Sequence, residues 1–259
     1  MNLKTDQEIA LLEKCSLLVG KTLAEIAKII RPGVSTKHLD KIAEEFIRDN
    51  GAIPGFLNYN GYPASLCISV NDTVVHGIPD EKTILNEGDI VSVDCGTIID
   101  GWYGDSAFTF EVGEVAPEIK QLLKVTRESL ELGIEKAVAG NRVGDIGYAI
   151  QTYVESFGYS VVRDLVGHGI GRNMHEAPEI PNYGRRGNGV KLVEGMVICI
   201  EPMINMGTFR VKMLNDGWTV KTADGKPSAH FEKQIAVRKN KAEVLINYDE
   251  IDKIIKDKS

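Results

Sequence analysis

A ten-residue pattern occurs twice in this 259-residue chain and constrains its fold more than any other feature. Residues 85–94 read LNEGDIVSVD and residues 192–201 read LVEGMVICIE, so the two copies are displaced by 107 residues and each ends in a carboxylate. Related halves that pack around a pseudo-twofold axis would bring Asp94 and Glu201 to equivalent positions. Because two like charges repel at short range unless a cation lies between them, the repeat points to a metal site.

Helix signals are duplicated at the same offset. Gly33 corresponds to Gly140 and Gly51 to Gly158, and apolar residues recur at helical spacing between these glycines and before them. Capping residues and helix-ending glycines set the limits of four predicted helices, which run from Thr5 to Pro32, from Ser35 to Gly51, from Pro117 to Ala139 and from Arg142 to Phe157. Each half therefore places two helices ahead of its strands, and the repeat covers about residues 6–112 and 113–247.

Short apolar runs bounded by Gly, Asn, Asp and Pro clusters predict the strands. They lie at residues 65–70, 89–94, 105–112, 160–166, 196–204, 231–238 and 243–246. The fold class is therefore mixed α and β. No low-complexity linker separates the halves, so we expect one domain over residues 1–259 in which both halves share a continuous sheet.

Composition restricts the classes of partner. A formal charge of −7 argues against a general nucleic-acid-binding role, which needs a basic face. No apolar run reaches the roughly 20 residues that span a bilayer, and the N-terminus lacks a secretory core, so we expect no membrane partner and a cytoplasmic location. Four dispersed cysteines without a CxxC pair predict buried, reduced thiols, and the Lys-rich tail 253–258 is interpreted as a solvated segment.

Four carboxylates are predicted to lie in strands otherwise built from apolar residues. Asp94 ends one strand and Asp105 opens the next after residues 96–104, so a hairpin would bring both acids to one rim. In the second half Glu201 ends its strand and Glu232 begins another. An unpaired carboxylate is strongly disfavoured in such surroundings, so the joint pattern indicates function even though any single acid is more often an edge or turn residue.

His168, in the segment GHGIG, adds an imidazole to the four acids. Oxygen-rich donor sets of this kind suit two divalent ions that share bridging carboxylates, and they accept Mn, Fe, Co and Zn. Two ions about 3.5–4 Å apart can activate a water and polarise a substrate oxygen, which is the usual machinery of metal-assisted hydrolysis.

The other histidines divide into two groups. His76 and His175 lie in Gly- or Pro-punctuated segments whose flexible backbone lets a side chain face a cleft. His38 lies in a charged helix and is expected to be exposed. His230 is interpreted as a residue that merely flanks a strand.

At this point the sequence resembles the type I methionine aminopeptidases of the pita-bread fold, in their short bacterial form without an N-terminal extension. The resemblance runs from the first helix to about Asn247. Its motifs are NYNGYPASLC at 58–67, VHGIP at 75–79, DCG at 94–96, GDSA at 104–107, GHGIG at 167–171, EP at 201–202 and DGWT at 216–219. The fold that it implies has two pseudo-symmetric halves around a curved, mostly antiparallel sheet, with helices on the outer face.

The resemblance implies a catalytic domain that removes the first methionine from nascent proteins and peptides when the second residue is small. The implied ligands of two divalent ions are Asp94, Asp105, His168, Glu201 and Glu232, and Asp105 and Glu232 would bridge the ions. Glu201 would also shuttle the proton, His175 would stabilise charge on the tetrahedral oxygen, and His76 would contact the scissile amide.

Further residues enter through the resemblance alone. The methionine pocket would be formed by Tyr59, Tyr62, Cys67, Met174 and Trp218, although the family often has an aromatic residue where Met174 stands. Asn71 and Ser228 resemble a site for a monovalent cation, Na or K. The implied partners are nascent polypeptide N-termini, with the ribosome near its exit tunnel as a further partner, and the protein is expected to be a monomer.

Two alternatives stay open on sequence grounds. X-Pro peptidases of the prolidase type share the fold and a similar ligand set, but they usually carry an additional N-terminal domain, and only about 88 residues precede the first repeated strand here. A non-catalytic relative that binds the ribosome is the second alternative. Such proteins tend to lose ligands, whereas all five are present in this sequence.

Overall fold

Two helix pairs lie where the repeat predicts them. The computed structural model describes residues 2–258, and within this range it contains five α-helices: α1 Asp6–Ile29, α2 Thr36–Asp49, α3 Pro117–Lys136, α4 Val143–Ser156 and α5 Asp249–Lys258. Thr5 and Glu8 form the predicted capping box at the start of α1, and the Ser35 side chain caps α2. Pro117 occupies the first turn of α3, where the absence of its N–H costs no hydrogen bond.

The strands are short, except for one long hairpin. In chain order they are β1 Ile53–Pro54, β2 Leu66–Val70, β3 Thr73–Val75, β4 Ile90–Ile99, β5 Trp102–Glu111, β6 Ser160–Val161, β7 Gly167–Gly169, β8 Glu176–Ile180, β9 Val197–Ile200, β10 Met203–Asn205, β11 Val211–Met213, β12 Val220–Thr222, β13 Ser228–His230, β14 Lys233–Ala236 and β15 Glu243–Val244. All pairings between these strands are antiparallel. The predicted combination of helices with a mostly antiparallel sheet is confirmed.

Hydrogen bonding divides the strands of residues 2–258 into four sheets, where we expected one continuous sheet. The first half contributes β1, β2, β4 and β5, and the second half contributes the five-stranded order β15–β14–β9–β7–β8. The halves still meet through the backbone, because the Glu232 N–H donates to the Ala107 carbonyl oxygen at 2.9 Å. The Gln234 side chain adds a second link by accepting from the Asp105 N–H at 3.1 Å.

Two strand limits differ from the prediction. The β4–β5 hairpin extends to Ile99 and Trp102, so Asp94 does not end its strand and Asp105 does not open the next one. The turn falls at Asp100 and Gly101, both of which have positive φ.

The strand predicted at residues 196–204 is also interrupted. It divides into β9 and β10 at Glu201 and Pro202, because proline has no N–H to donate to a ladder. The strand predicted at residues 160–166 keeps only Ser160 and Val161.

The C-terminal tail forms a helix, on which Lys253, Lys256 and Lys258 are exposed, as expected for a solvated segment. In α5 Ile251 is buried, and Asp252 forms a bidentate ion pair with Arg127 of α3 at 2.6 and 2.7 Å. Lys258 donates to the Ala27 carbonyl oxygen near the end of α1, where cations are favoured by the helix dipole. Residues 249–258 thus tie the outer helices of the two halves together.

One large apolar core runs through both halves, and a smaller cluster lies between α1 and the strands of the site. All four cysteines are buried and free, as the sequence predicted. His38 is exposed, as expected. Among residues 2–258, no helix combines the length and the apolar character that crossing a bilayer requires.

Candidate active site

One cavity brings together every residue predicted for catalysis, for binding divalent metal ions and for the methionine pocket. Its volume is about 240 Å³, below the roughly 300–1,000 Å³ of sites for drug-sized ligands, so it suits a single amino-acid side chain. The predicted residues that line it are Tyr59, Tyr62, Cys67, His76, Asp94, Asp105, His168, Met174, His175, Glu201, Trp218 and Glu232. Acids and imidazoles from both halves therefore share one chamber with an apolar wall.

The β4–β5 hairpin positions the two aspartates by register. Asp94 lies opposite Ala107, and Asp105 lies opposite Gly96. Because Asp105 precedes Ala107 by two residues on the same strand, the pleat turns both carboxyls to one face of the hairpin. Asp105 is 4% exposed, and the Oδ1 atoms of both aspartates are buried.

The second half contributes Glu201, Glu232 and His168. Glu201 follows the end of β9 and Glu232 precedes β14, on adjacent antiparallel strands. His168 lies in β7, and its Nε2 atom is 3.6 Å from Glu201 Oε1 and 3.7 Å from Asp105 Oδ2. One imidazole nitrogen thus faces a carboxylate from each half at distances that leave space for a bound ion.

Burial opposes the ionisation of all four carboxyls, and repulsion between neighbouring acids adds to it for Asp105, Glu201 and Glu232. Burial raises the pKa of Asp94 to about 7, although its contact with Asp105 acts in the opposite direction. Burial also raises the pKa of Asp105 well above its usual value, and the charges of Glu232 and Asp94 add to this effect. The pKa values of Glu201 and Glu232 are raised for the same two reasons.

Several buried polar atoms of this cluster have no hydrogen-bond partner in the described chain. They are Asp94 Oδ1, Asp105 Oδ1, Glu232 Oε1 and His230 Nε2. Orphaned buried oxygens are costly, and divalent cations satisfy them while removing the repulsion between the carboxylates. The donors Asp105, His168, Cys199 and Glu232 lie within 4.8 Å of one another, as do Glu201, His230 and Glu232. The residues present therefore fit a divalent metal centre with two neighbouring positions.

Two further histidines face the same cavity without joining the acids. His76 has φ +58°, a conformation that the loop between β3 and the following segment imposes, and burial lowers its pKa to about 4 with the neighbouring His175 adding to the effect. His175 lies at the exposed mouth, where its Nδ1 atom is 2.8 Å from the Tyr59 hydroxyl. Partial burial lowers the pKa of His175 as well. Both rings are neutral near pH 7.

His230 was wrongly interpreted as a flanking residue. It ends β13 inside the cavity wall, is 2% exposed, and places Nε2 3.9 Å from Glu201 Oε2. Burial lowers its pKa to about 3, with His76 as a second cause. The two-residue spacing between His230 and Glu232 could have predicted that His230 faces the site, because residues two apart in an extended segment face the same side.

The apolar wall is built from rings and sulfur atoms. Tyr62 and Trp218 meet edge to face with ring centroids 5.1 Å apart, and the Tyr62 hydroxyl donates to the Gly77 carbonyl oxygen at 2.9 Å. Cys67 and Met174 complete the wall and are 5% and 2% exposed. Phe56, which the sequence interpretation did not include, also lines the cavity.

Asn71 and Ser228 lie outside this cavity. They are joined by a hydrogen bond of 2.9 Å from the Ser228 N–H to the Asn71 carbonyl oxygen. The Asn71 side chain is engaged on both sides, because it donates to Asp89 and accepts from the Ile90 N–H. A monovalent cation at this place stays a prediction.

Comparison with known proteins agrees with this geometry. Residues 10–239 match metallopeptidase family M24. The methionine aminopeptidase of Clostridium acetobutylicum is 54% identical over 94% of this chain and 97% of its own length. The family match covers both halves of the chain and the stretch of sequence from which the cavity is built.

Solved structures extend the comparison to the fold. The crystal structure of methionine aminopeptidase from Rickettsia prowazekii is 44% identical, with a TM-score of 0.94 over 95% of this chain and 100% of that chain. The prolidase from Pyrococcus horikoshii OT3 has a TM-score of 0.76 at 21% identity, and the match covers 64% of that chain. Likeness at that level of identity reflects the shared fold alone.

Proposed function

The chain belongs to metallopeptidase family M24, and because its relatives at 54% identity are methionine aminopeptidases, we propose that it hydrolyses the first peptide bond of proteins and peptides that begin with methionine. The observation that carries this proposal is the convergence of five metal donors, two neutral histidines and an apolar pocket on one cavity. Neither alternative function is supported, since the likeness to prolidases extends only to the fold and the donor set is complete.

We propose that Asp94, Asp105, His168, Glu201 and Glu232 would hold two divalent ions. The orphaned oxygens of Asp94, Asp105 and Glu232 support this assignment. Bound divalent ions supply Lewis acidity and an activated water to sites of this kind. Mn, Fe, Co and Zn all suit the donors, and the ion used in the cell follows availability.

His175 is the proposed donor to the oxygen of the scissile carbonyl. The Tyr59 hydroxyl lies 2.8 Å from His175 Nδ1, and we assign the phenol as the donor of this hydrogen bond. The neutral ring then carries its proton on Nε2, which is the donor that stabilises charge as it develops on the carbonyl oxygen. Tyr59 is thus a positioning residue, because its hydrogen bond fixes the tautomer of His175.

Glu201 and His76 complete the proposed proton and substrate contacts. Glu201 combines a raised pKa with a place beside His168, which suits a carboxyl that accepts a proton and passes it to the leaving amine. His76, which lines the same cavity, is the proposed contact of the scissile amide. The wall of Tyr62, Cys67 and Trp218 receives the flexible thioether of the substrate.

Several finer assignments rest on family resemblance and belong to this proposal. They are a small second residue in the substrate, nascent chains as the source of substrate, association with the ribosome near the exit tunnel, a monomeric state and a cytoplasmic location. The pairing of Asn71 with Ser228 is offered as the monovalent cation site. Removal of the initiator methionine from new proteins would be the biological role.

A substrate comparison tests the activity. We expect the protein loaded with Mn²⁺ or Co²⁺ to release free methionine from a Met-Gly peptide and nothing from an X-Pro peptide. Glu201→Gln has nearly the same shape and should abolish release, which controls for a contaminating peptidase. Turnover confined to the X-Pro peptide would favour a prolidase, and no turnover with any divalent ion would favour a binding protein.

A further inference from the structure

Cys199 lies in the metal centre although no role in the proposed hydrolysis uses it. It precedes Glu201 by two residues at the end of β9, so strand alternation turns both side chains to the same face. Its Sγ atom, Asp105, His168 and Glu232 supply donor atoms that all lie within 4.8 Å of one another. Three of these four donors are proposed ligands of one ion.

The surroundings of the thiol contain no water-exposed surface. Cys199 is 0% exposed and contacts the apolar cluster that includes Leu12 and Ile170. On its other side lies the Glu232 carboxyl. Cys199 does not line the cavity itself, so its sulfur would meet a bound ion from outside the cavity.

Independent evidence for a ligand comes from the neighbouring oxygens. Asp105 Oδ1 and Glu232 Oε1 are buried and lack a hydrogen-bond partner in the described part of the chain, and their residues are 4% and 2% exposed. Two unpartnered oxygens, an imidazole nitrogen and a sulfur at these separations form a mixed donor set. Such a set is satisfied by a cation of borderline softness.

We propose that Cys199 Sγ is an additional ligand of the ion held by Asp105, His168 and Glu232, and that it gives this position a preference for thiophilic metals. The inference rests on the proposed metal centre and deepens it. As the sulfur–metal bond forms, the S–H bond breaks, the proton passes to the adjoining Glu232 carboxyl and from there to solvent in the cavity, and the metal keeps its oxidation state. Zn²⁺, Co²⁺ and Cd²⁺ gain from the thiolate, whereas Mn²⁺ and Mg²⁺ keep their preference for the carboxylates.

Spectroscopy of the metal-substituted protein tests the sulfur ligand directly. One molar equivalent of Co²⁺ or Cd²⁺ is added without oxygen to the full-length, chelator-treated protein, and the sulfur-to-metal charge-transfer absorption is recorded. The wild-type protein should show this band. Cys199→Ala and Cys199→Ser should lose it, whereas Cys67→Ala should keep it, because Cys67 lines the same cavity outside the donor cluster.

Affinity gives a second measurement in case one variant folds poorly. Competition with a chromophoric chelator should show Cd²⁺ binding weakened about tenfold or more in Cys199→Ser, with Mn²⁺ binding changed by less than about threefold. Circular dichroism checks that each variant is folded. An equal loss of affinity for Cd²⁺ and Mn²⁺ would overturn the proposed preference for thiophilic metals, since it would indicate a structural role for the sulfur.

The outcomes separate this inference from the proposed function. A wild-type protein that releases methionine but shows no charge-transfer band refutes the sulfur ligand and leaves the aminopeptidase activity standing. A band that depends on Cys199 without any hydrolysis supports the ligand and refutes the activity. Retention of the band in Cys199→Ala would also overturn the assignment.

Discussion

The amide of Glu232 donates a hydrogen bond of 2.9 Å to the carbonyl oxygen of Ala107, which joins the two halves of the chain beside a carboxylate from each. The Tyr248 hydroxyl lies within hydrogen-bond distance of the Glu232 and Ala107 carbonyl oxygens, at 2.5 and 3.0 Å. The Arg127 guanidinium packs against the Tyr248 ring 5.5 Å from its centroid. The junction is therefore supported by two residues that do not line the cavity.

Tyr248→Phe should lower the free energy of unfolding by about 1–2 kcal/mol, because buried carbonyl oxygens lose a donor. Ser106 also donates to the Glu232 carbonyl oxygen, so the junction should remain closed and the variant should fold. Urea denaturation measures the change. Tyr153→Phe is the matched control, since its hydroxyl bonds only a surface glutamate and the expected change is small. Equal stability of the two variants would show that Tyr248 does not support the junction.

Asp105→Ala should abolish methionine release and remove most of the bound metal while the protein stays folded. The substitution removes a proposed bridging ligand, but it also relieves the repulsion that Asp105 exerts on its neighbours. The metal-free variant should therefore be at least as stable as the metal-free wild type. Metal analysis after dialysis, together with thermal unfolding, measures both effects. Asp72→Ala, which breaks only an ion pair with Lys221, should retain metal and activity.

His175→Ala should reduce kcat by about 10²–10³ without changing the metal content, since it removes a donor to the developing oxyanion. Tyr59→Phe should lower kcat by a smaller factor. The His175 ring stays in place, and only the hydrogen bond that fixes the tautomer of His175 is lost. The exposed His38 provides the control, and His38→Ala should leave kcat unchanged. Loss of metal from His175→Ala would reassign the residue to the metal centre.

Much of the fold could be predicted from the sequence, because the repeat and the helix caps are visible in the residue pattern itself. The capping box at Thr5 and the glycines at the ends of the helices depend on a few adjacent residues, so α1 to α4 were predicted within a few positions. The site acids were accessible for a different reason. A carboxylate inside an apolar strand is costly wherever the strand lies, so Asp94 and Glu232 stood out before any topology was known.

The remainder depended on contacts between distant residues. The spacing of His230 from Glu232 predicts a shared face, but only the pairing of β13 with β10 brings the His230 ring near Glu201. The tail helix packs through the buried Ile251, and its Asp252 pairs with Arg127, a residue 125 positions away. The division of the strands into four sheets follows from interruptions such as Pro202, whose effect on pairing is not visible in the hydrophobic pattern.

Gly96→Ala should narrow the substrate pocket. A Cβ atom at this position would lie 2.7 Å from Phe56 Cε1 and 3.3 Å from Met174 Cε, so both side chains must move. We expect KM for a methionine peptide to rise about tenfold or more, because the pocket loses roughly the volume of one methylene group. The metal content should not change. Gly20→Ala is the control, because its nearest contact is an ordinary 3.4 Å. An unchanged KM in Gly96→Ala would show that the pocket wall adapts without cost.

The metal-free protein should lose stability as the pH rises from about 4 to 7. Unfolded Asp94 ionises near pH 4, whereas burial raises its pKa in the folded protein to about 7. Between these values the unfolded state has released a proton that the folded state retains, so the free energy of unfolding falls as the pH rises. The raised pKa values of Asp105, Glu201 and Glu232 act in the same direction.

The contribution of Asp94 is isolated by comparing urea unfolding of the wild type and of Asp94→Asn, both in the presence of a chelator. The surface acids are common to both proteins, so their titration cancels in the comparison. The wild type should lose stability relative to the variant across this pH window. Saturating Mn²⁺ should remove the loss in the wild type, since the ions bind the ionised carboxylates and only the folded state assembles their site. Parallel pH profiles of the two metal-free proteins would show that the Asp94 carboxyl is already ionised in the folded state without a cation.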